Sequence, residues 1–437
     1  MAAVTNGGSI EAREDGVTPI GVDEALDRIL GAFSALPADT LVPLDALGLV
    51  LAESIVAVGN VPPFRNSAMD GFAVRASETV GASRERPVEM LVDGTVAAGS
   101  PPGRRLEAGT AARIMTGAPL PEGADAVVRF EDTDEGDRTG NSLSRKPGWA
   151  AIYKPAIVTE NVREAGEDIR TGQTLLEAGA RLRPPDIGLL AAVNRSRVRV
   201  HRRPRVAILS TGDEVVDVGS TLGPGQIRDS NGATLAAMVQ YESAVPVELG
   251  IARDTSDELA GKLSDLDAVD MIVTSGGVSA GDFDFVKDVL RAKGEVSIWQ
   301  VRMKPGKPLA FGFIGRTPLL GLPGNPVAAA VSFQLFGRPA IRKMLGWRDV
   351  SPSTVAATLC ERVENAGRRR HFVRARVERS DTGGFSVRPV GDQGAGVLTS
   401  FAAANGLVVV PEHQAVLERG SVVQVQILDW DLATLHR

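Results

Sequence analysis

Cysteine is almost missing from this chain of 437 residues, where Cys360 stands alone. One thiol can neither close an intrachain disulfide nor build a thiolate zinc site. The fold must therefore rest on packing, and a reducing compartment suits it. Aromatic residues are scarce as well, at 4%, too few for the stacking platforms that hold single-stranded nucleic acid. Positive charge is not in excess: 48 Lys and Arg against 54 Asp and Glu leave a net charge of −6, so nucleic acid is not an expected partner. No stretch of about eighteen apolar residues occurs, and no membrane span is expected. Residues 1–17 are acidic and Gly-rich, lack the apolar centre of a signal peptide, and read as a disordered tail. A cytoplasmic location follows as the expectation. The one local basic run, Arg368-Arg369-Arg370 with Arg374 and Arg376, alternates like a strand and reads as a solvated sheet face.

What is present is enough chain for two to four domains. Val22, Leu26, Ile29, Leu30 and Phe33 recur at helical spacing and predict one amphipathic helix. Residues 18–58 and 164–204 read as a linking N-terminal domain. Between them, 59–163 is Gly-rich and turn-broken with short apolar runs such as Ala126-Val127-Val128, which predicts a β-rich domain. Residues 205–346 alternate strands (206–209, 247–251, 271–273, 296–301) with helices (231–242, 255–266, 283–293, 326–345). Thr255 and Ser256 are candidate caps for one helix; Asn325 caps another, with Pro326 at its first position. This alternation defines a doubly wound α/β domain. Residues 347–437 hold short strands and few helical signals, as in a small C-terminal β-barrel. The fold class expected is thus multidomain α/β plus β.

In open α/β sheets ligands bind beyond the carboxyl ends of the strands. Four loops there carry unusual text. Ser210-Thr211-Gly212-Asp213-Glu214 exposes acids just past a buried strand. Ser275-Gly276-Gly277-Val278-Ser279-Ala280-Gly281-Asp282-Phe283-Asp284 has glycines that let backbone N–H groups converge on an anion. Lys304-Pro305-Gly306-Lys307-Pro308 presents two cations, and Gly321-Leu322-Pro323-Gly324-Asn325-Pro326 leads into a helix start. A single Gly loop is more often a plain turn; four in one domain favour an anion site. Carboxylates beside a phosphate repel it unless a cation intervenes. The mixture of acids and bases therefore points to metal-assisted work on a phosphorylated or adenylylated substrate. Neither a P-loop nor the dinucleotide glycine fingerprint is present. Gly277-Val278-Ser279-Ala280-Gly281 matches a serine-hydrolase elbow, but the four histidines, His201, His371, His413 and His436, offer no evident base and no oxyanion loop occurs. Ser279 reads better as an anion ligand or helix cap.

The segments Pro63-Phe64-Arg65-Asn66-Ser67-Ala68-Met69-Asp70-Gly71-Phe72-Ala73, Ile114-Met115-Thr116-Gly117-Ala118-Pro119 and Gly166-Glu167-Asp168, followed by the four α/β loops in the same order, resemble the MoeA family over roughly residues 20–430. That resemblance implies a doubly wound α/β molybdopterin-binding domain in an elongated homodimer. The active cleft would lie between this domain and the β-rich domain of the second subunit. It implies a molybdopterin molybdenumtransferase that takes adenylylated molybdopterin and molybdate and releases AMP with Mg²⁺. Carried over by motif, Asp70, Asp168, Glu214, Asp254, Asp284 and Lys304 would be catalytic. Thr116, Gly276, Gly277, Ser279, Lys307, Pro323, Pro326 and Arg374 would bind substrate, and Glu214, Asp254 and Asp284 would hold the metal. The molybdopterin adenylyltransferase is a further implied partner. Each residue also has a plain structural role open to it: a hairpin at Asp70-Gly71, a turn bond at Thr116, a loop closure at Asp168, a helix entry at Asp254, loop shaping at the two prolines. Two departures from relatives stand out. Gln300 replaces a lysine, with Arg302 two residues on along the same strand face, and Ala395 replaces a frequent serine. Rival functions are a binding scaffold, like the vertebrate receptor-clustering relative, and adenylylation of molybdopterin by the α/β domain itself.

Overall fold

The structure is a computed structural model, and it describes residues 19–136, 146–253, 255–264, 266, 268–277, 294–380 and 383–428. The expected tail at 1–17 and helix at 283–293 lie outside the described residues.

The N-terminal helix forms as its periodicity demands: α1 (Val22–Gly31) buries Val22, Ala25 and Ile29 along one face. Strand β1 (Ala38–Leu41) then pairs far along the chain, and the β-rich domain is inserted between the two partners. That domain is a five-stranded sheet of β2 (Gly71–Val74), β3 (Val88–Val96), β4 (Thr110–Ile114), β5 (Ala126–Arg129) and β6 (Trp149–Ile152), in the order β5-β2-β4-β3-β6. Alternate residues of β2 feed opposite cores, Phe72 and Val74 on one side and Ala73 on the other. Gly71 opens that strand because nothing larger fits: a Cβ there would lie 2.0 Å from the Val128 carbonyl oxygen. The chain returns through α2 (Pro184–Ala192) and β7 (Val198–His201), which runs antiparallel to β1.

The α/β domain follows. It contains β8 (Arg205–Thr211), α3 (Ser230–Tyr241), β9 (Val245–Ala252), α4 (Ser256–Lys262), β10 (Met271–Ser275), β11 (Gly294–Gln300), β12 (Met303–Lys304), β13 (Pro308–Ile314), β14 (Thr317–Leu322), α5 (Pro326–Ser332) and α6 (Arg338–Met344). The six-stranded sheet has the order β9-β8-β10-β14-β13-β11. Strands β9, β8, β10 and β14 are parallel, while β13 and β11 are antiparallel additions at one edge. The central strand β8 is covered on both faces: Val206 and Ile208 enter one core, Ala207 and Leu209 the other, as a parallel strand between helical layers requires.

Three expectations need correction here. The segment 308–322 folds as a β-hairpin, which the strand-helix alternation did not announce. The helix expected over 326–345 is α5 and α6 joined by a π-helical segment, Phe333–Gly337. Thr255 and Asn325 occupy N-cap positions but make no side-chain cap bond, although Pro326 does stand in the first turn.

The C-terminal region is a closed five-stranded β-barrel of β15 (Thr354–Leu359), β16 (Arg370–Arg379), β17 (Phe385–Pro389), β18 (Gly406–Val410) and β19 (Val422–Ile427). A short helix, α7 (Leu398–Ala402), precedes β18, and the barrel shuts through pairing of β16 with β18. Strand β12 of the α/β domain joins β16 in parallel, Met303 beside Arg370 and Lys304 beside His371. The largest core runs from α1 through the α/β domain to Phe372, Phe401 and Leu407 of the barrel. The cleft described next is therefore built across a packed boundary.

Candidate functional site

A cleft of about 1060 Å³ opens beyond the carboxyl ends of β8, β10 and β14. Its floor is the switch point of the sheet, where β8 is flanked by β9 on one side and β10 on the other. Gly276 allows two of these strand ends to approach. It has φ +94°, and a Cβ would meet the Thr211 carbonyl and hydroxyl oxygens at 2.8 Å. Below it, Asn231 at the start of α3 donates to Ser275 Oγ at 2.6 Å and to the Gly324 carbonyl at 2.7 Å. One amide thereby ties the β10 loop to the β14 loop. Asp229 caps α3 through Gly232 N at 2.8 Å.

One wall is cationic. Lys304 and Lys307 are exposed to the cleft, and neither makes an ion pair among the described residues. Gly306 between them has φ +101°, and a Cβ would lie 2.5 Å from Ser332 Oγ, so the loop sits directly on α5. Arg369, at the foot of β16, joins this wall. Behind it His371, 4% exposed, is pushed down to about 4: burial disfavours the charged ring, and Lys304, Arg374 and Arg369 repel it further. The same cleft is lined by Glu214, an exposed carboxylate folded back over Gly212. Pro323 and Pro326 line the remaining side.

Of the residues expected from sequence, the structure thus gathers Glu214, Gly276, Gly277, Lys304, Lys307, Pro323 and Pro326 around one cavity. Asp254, Ser279 and Asp284 lie outside the described residues, as does all but the first residue of the hydrolase-elbow pattern. Among the described residues no three His, Cys, Asp or Glu side chains form a metal-holding group.

Asp70, Thr116 and Asp168 do not line this cleft. They belong to the β-rich part of the same chain. Asp70 Oδ1 accepts from Thr116 N at 2.6 Å and Thr116 Oγ1 at 2.9 Å, and these bonds hold the Asp70 carboxyl below the usual carboxylate range. The two motifs therefore meet through bonds that span 46 residues, not through the local turn bond that the plain reading of Thr116 offered. Asp168 is exposed, with its backbone N–H on the Val61 carbonyl.

Arg374 is the clear correction. It is 0% exposed, neither on a solvated sheet face nor on the cleft wall. Its Nη2 donates to the carbonyls of Asp392 and Gly394, both at 3.0 Å, and its Nε to Ser400 Oγ at 3.2 Å. Burial lowers its basicity. Arg302 does not extend the strand face of Gln300, because β11 ends at Gln300. Its guanidinium instead donates to the Pro19 carbonyl at 2.8 Å. Residues that sequence reasoning missed are Asn231, Asp229, Arg369 and the barrel lip Asp392-Gln393-Gly394. The lip was flagged through Ala395, and Arg369 stood in the basic run that reads as a solvated sheet face; Asn231 and Asp229 carried no signal of a site.

A doubly wound α/β unit with a cleft at the carboxyl ends of its strands, flanked by an inserted β-rich domain and a barrel, defines a distinct class of multidomain proteins. Comparison with known proteins places the chain within it. Residues 20–194 match the MoeA N-terminal region (domain I and II), 207–343 a probable molybdopterin binding domain, and 356–428 the MoeA C-terminal region (domain IV). The chain is 35% identical over 420 residues to a molybdopterin molybdenumtransferase of Staphylococcus aureus, covering 95% of this chain and 97% of that one. The corresponding protein of Staphylococcus epidermidis is 33% identical over 422 residues, covering 95% and 96%. Among solved structures, a molybdopterin biosynthesis MoeA protein from Pyrococcus horikosii superposes with TM-score 0.80 at 34% identity, covering 94% of this chain and all of that one. The chain belongs to the MoeA family and has a role in molybdenum cofactor biosynthesis. No helix among the described residues is long and apolar enough to cross a membrane.

Proposed function

We propose that this chain is a molybdenum insertase that binds adenylylated molybdopterin and molybdate in the cleft, transfers the metal to the pterin dithiolene and releases AMP. The observation that carries this reading is the pairing of two lysines that make no ion pair among the described residues with a Gly loop at the sheet's switch point. Molybdate, phosphate and phosphoanhydride are all oxyanions, and a wall of cations and backbone amides answers each of them. Lys304 and Lys307 would hold those oxygens, and Asn231 would keep the two Gly loops at fixed separation. The family relatives carry the matching activity in their names, molybdopterin molybdenumtransferase.

The donor chemistry fits Mg²⁺. That ion takes oxygen ligands and commonly relies on one or two carboxylates plus substrate phosphates, and Glu214 offers an exposed carboxylate in the cleft that the lysines also line. Glu214 would hold it, with Asp254 and Asp284 as further candidates outside the described residues. When bound it would neutralise and polarise phosphate oxygens. Glu214 would otherwise repel the nucleotide, so a carboxylate in the same cleft as the lysines is itself an argument for an intervening cation.

A homodimer accounts for the second set of family motifs. Asp70 and Thr116 form a fixed exposed pair remote from their own chain's cleft lining, and a partner subunit would present them to the cleft. The test is AMP release by purified protein from adenylylated molybdopterin, with and without molybdate. Release that requires molybdate is expected; release indifferent to molybdate would overturn the insertase. Formation of the adenylylated pterin from ATP and molybdopterin by this chain alone would favour an adenylyltransferase instead.

A further inference from the structure

The lip of the cleft contributed by the barrel is held by an unusual exchange of bonds. The ladder between β16 and β17 runs from Arg379 opposite Phe385 to Ala375 opposite Pro389, and a last backbone bond joins Val390 N to the Arg374 carbonyl at 3.0 Å. There the strand β17 ends, and the next backbone groups of β16 would be orphaned. The Gln393 side chain takes over. Its Oε1 accepts from Arg374 N at 2.9 Å, and its Nε2 donates to the carbonyls of Arg374 at 3.1 Å and Val390 at 2.8 Å. A side-chain amide offers the same donor and acceptor as a peptide and so extends the ladder by one rung.

Arg374 reciprocates from below through its Nη2 bonds to the Asp392 and Gly394 carbonyls. The buried guanidinium thus has carbonyls as its Nη2 partners, while its Nη1 is buried with no hydrogen-bond partner among the described residues. Asp392 closes the turn through Gly394 N at 2.7 Å. The far end of the lip docks across the domain boundary, where Ala395 O accepts from Val327 N in the first turn of α5 at 2.9 Å. Asp392, Gln393, Gly394 and Ala395 all line the cleft, yet no side-chain hydroxyl is present at Ala395 to touch a ligand.

We infer that Arg374 and Gln393 are positioning residues whose mutual clamp fixes this lip over the oxyanion wall, and so set how tightly substrate is held rather than how fast it reacts. This rests on the function proposed above. Because the two residues serve one set of bonds, their effects should not add.

The test uses the full-length protein with Gln393→Ala, Arg374→Lys and the double variant. Hydrogen exchange is read first. Faster exchange confined to residues 392–397 is expected in Gln393→Ala, with the melting temperature kept; unchanged protection there would overturn the clamp whatever the substrate. Steady-state kinetics of molybdate-dependent AMP release are read second. Gln393→Ala should raise KM for the adenylylated pterin about tenfold with kcat within about threefold, and the double variant should be no worse than the poorer single one. A fall in kcat at unchanged KM, or additive losses, would contradict the positioning role. Should wild type itself show no molybdate-dependent release, the insertase reading fails, while the exchange result still decides the clamp. Arg374→Lys keeps the charge but not the fork; if it fails to fold, Gln393→Ala alone carries both readouts.

Discussion

Lys304 and Lys307 owe their importance to what does not surround them: neither makes an ion pair among the described residues, and both face a cleft. A charge-assisted bond to an oxyanion is worth about 1.5–3 kcal/mol. Lys304→Ala is therefore expected to weaken molybdate binding roughly ten- to a hundredfold, as read by equilibrium dialysis, with little change in melting temperature. Wild-type affinity in that variant would remove Lys304 from the site. His371 makes a prediction of opposite kind. Its folded value is about 4 against 6.5 for a free imidazole, so the native state binds the proton less readily than the unfolded chain. Its stabilising contribution is complete above about pH 6.5 and is lost as pH falls towards 4, by about 3 kcal/mol. Urea unfolding of wild type and His371→Phe between pH 4 and 7 should show a steeper acid loss in wild type; parallel curves would mean that the imidazole is not held neutral.

Elements are secured by charges that the sequence pattern could not place. Glu242, at the end of α3, lies buried between Arg338 and Arg342 of α6, with Arg342 Nε at 2.8 Å and Arg338 Nε closer still. Deleting the acid removes the carboxylate that both buried guanidinium groups share, so Glu242→Gln should cost about 3 kcal/mol in urea unfolding; a loss under about 1 kcal/mol would show that the arginines' remaining contacts suffice to hold them. Local signals did disclose much of this layer. The 3.6-residue rhythm of α1 and the short buried runs of β8 and β10 follow from which faces must be dry, and that information is in each segment itself. The hairpin of β13 and β14 turns on only Gly315 and Arg316, with Gly315 at positive φ; that local signal was present in the sequence but was passed over between the two Gly-Pro loops that flank it. The interior position of Arg374 was also hidden: its alternating neighbours suggest a solvated face, while its side chain turns onto Ser400 and the carbonyls of Asp392 and Gly394, contacts that lie 18 to 26 residues away. The loops Lys304–Pro308 and Gly321–Pro326 were legible because Gly and Pro at strand ends constrain the backbone locally.

At the scale of the molecule, the cleft depends on two joints. One is the parallel bridge that sets Met303 and Lys304 of the α/β domain beside Arg370 and His371 of the barrel, backed by a bidentate pair between Arg370 and Asp23 at 2.6 and 2.8 Å. The other is the proposed partner subunit, which would carry Asp70 and Thr116 to the cleft. Sequence motifs identified both halves but not the distance between them, since assembly geometry leaves no local trace. If the halves meet between subunits, mixing Asp70→Ala with Lys304→Ala, assayed at molybdate too low for either variant alone to turn over, should restore roughly a quarter of wild-type activity after subunit exchange, because random pairing leaves one intact cleft in half of the dimers. No recovery after demonstrated exchange would place both residues in one chain's site. The most direct measurement of all is anomalous diffraction at the molybdenum edge from crystals soaked in molybdate. A peak is expected between Lys304, Lys307 and the Gly276 loop, absent from Lys304→Ala crystals; a peak elsewhere, or none at this wall in wild type, would contradict the oxyanion site on which the proposed chemistry depends.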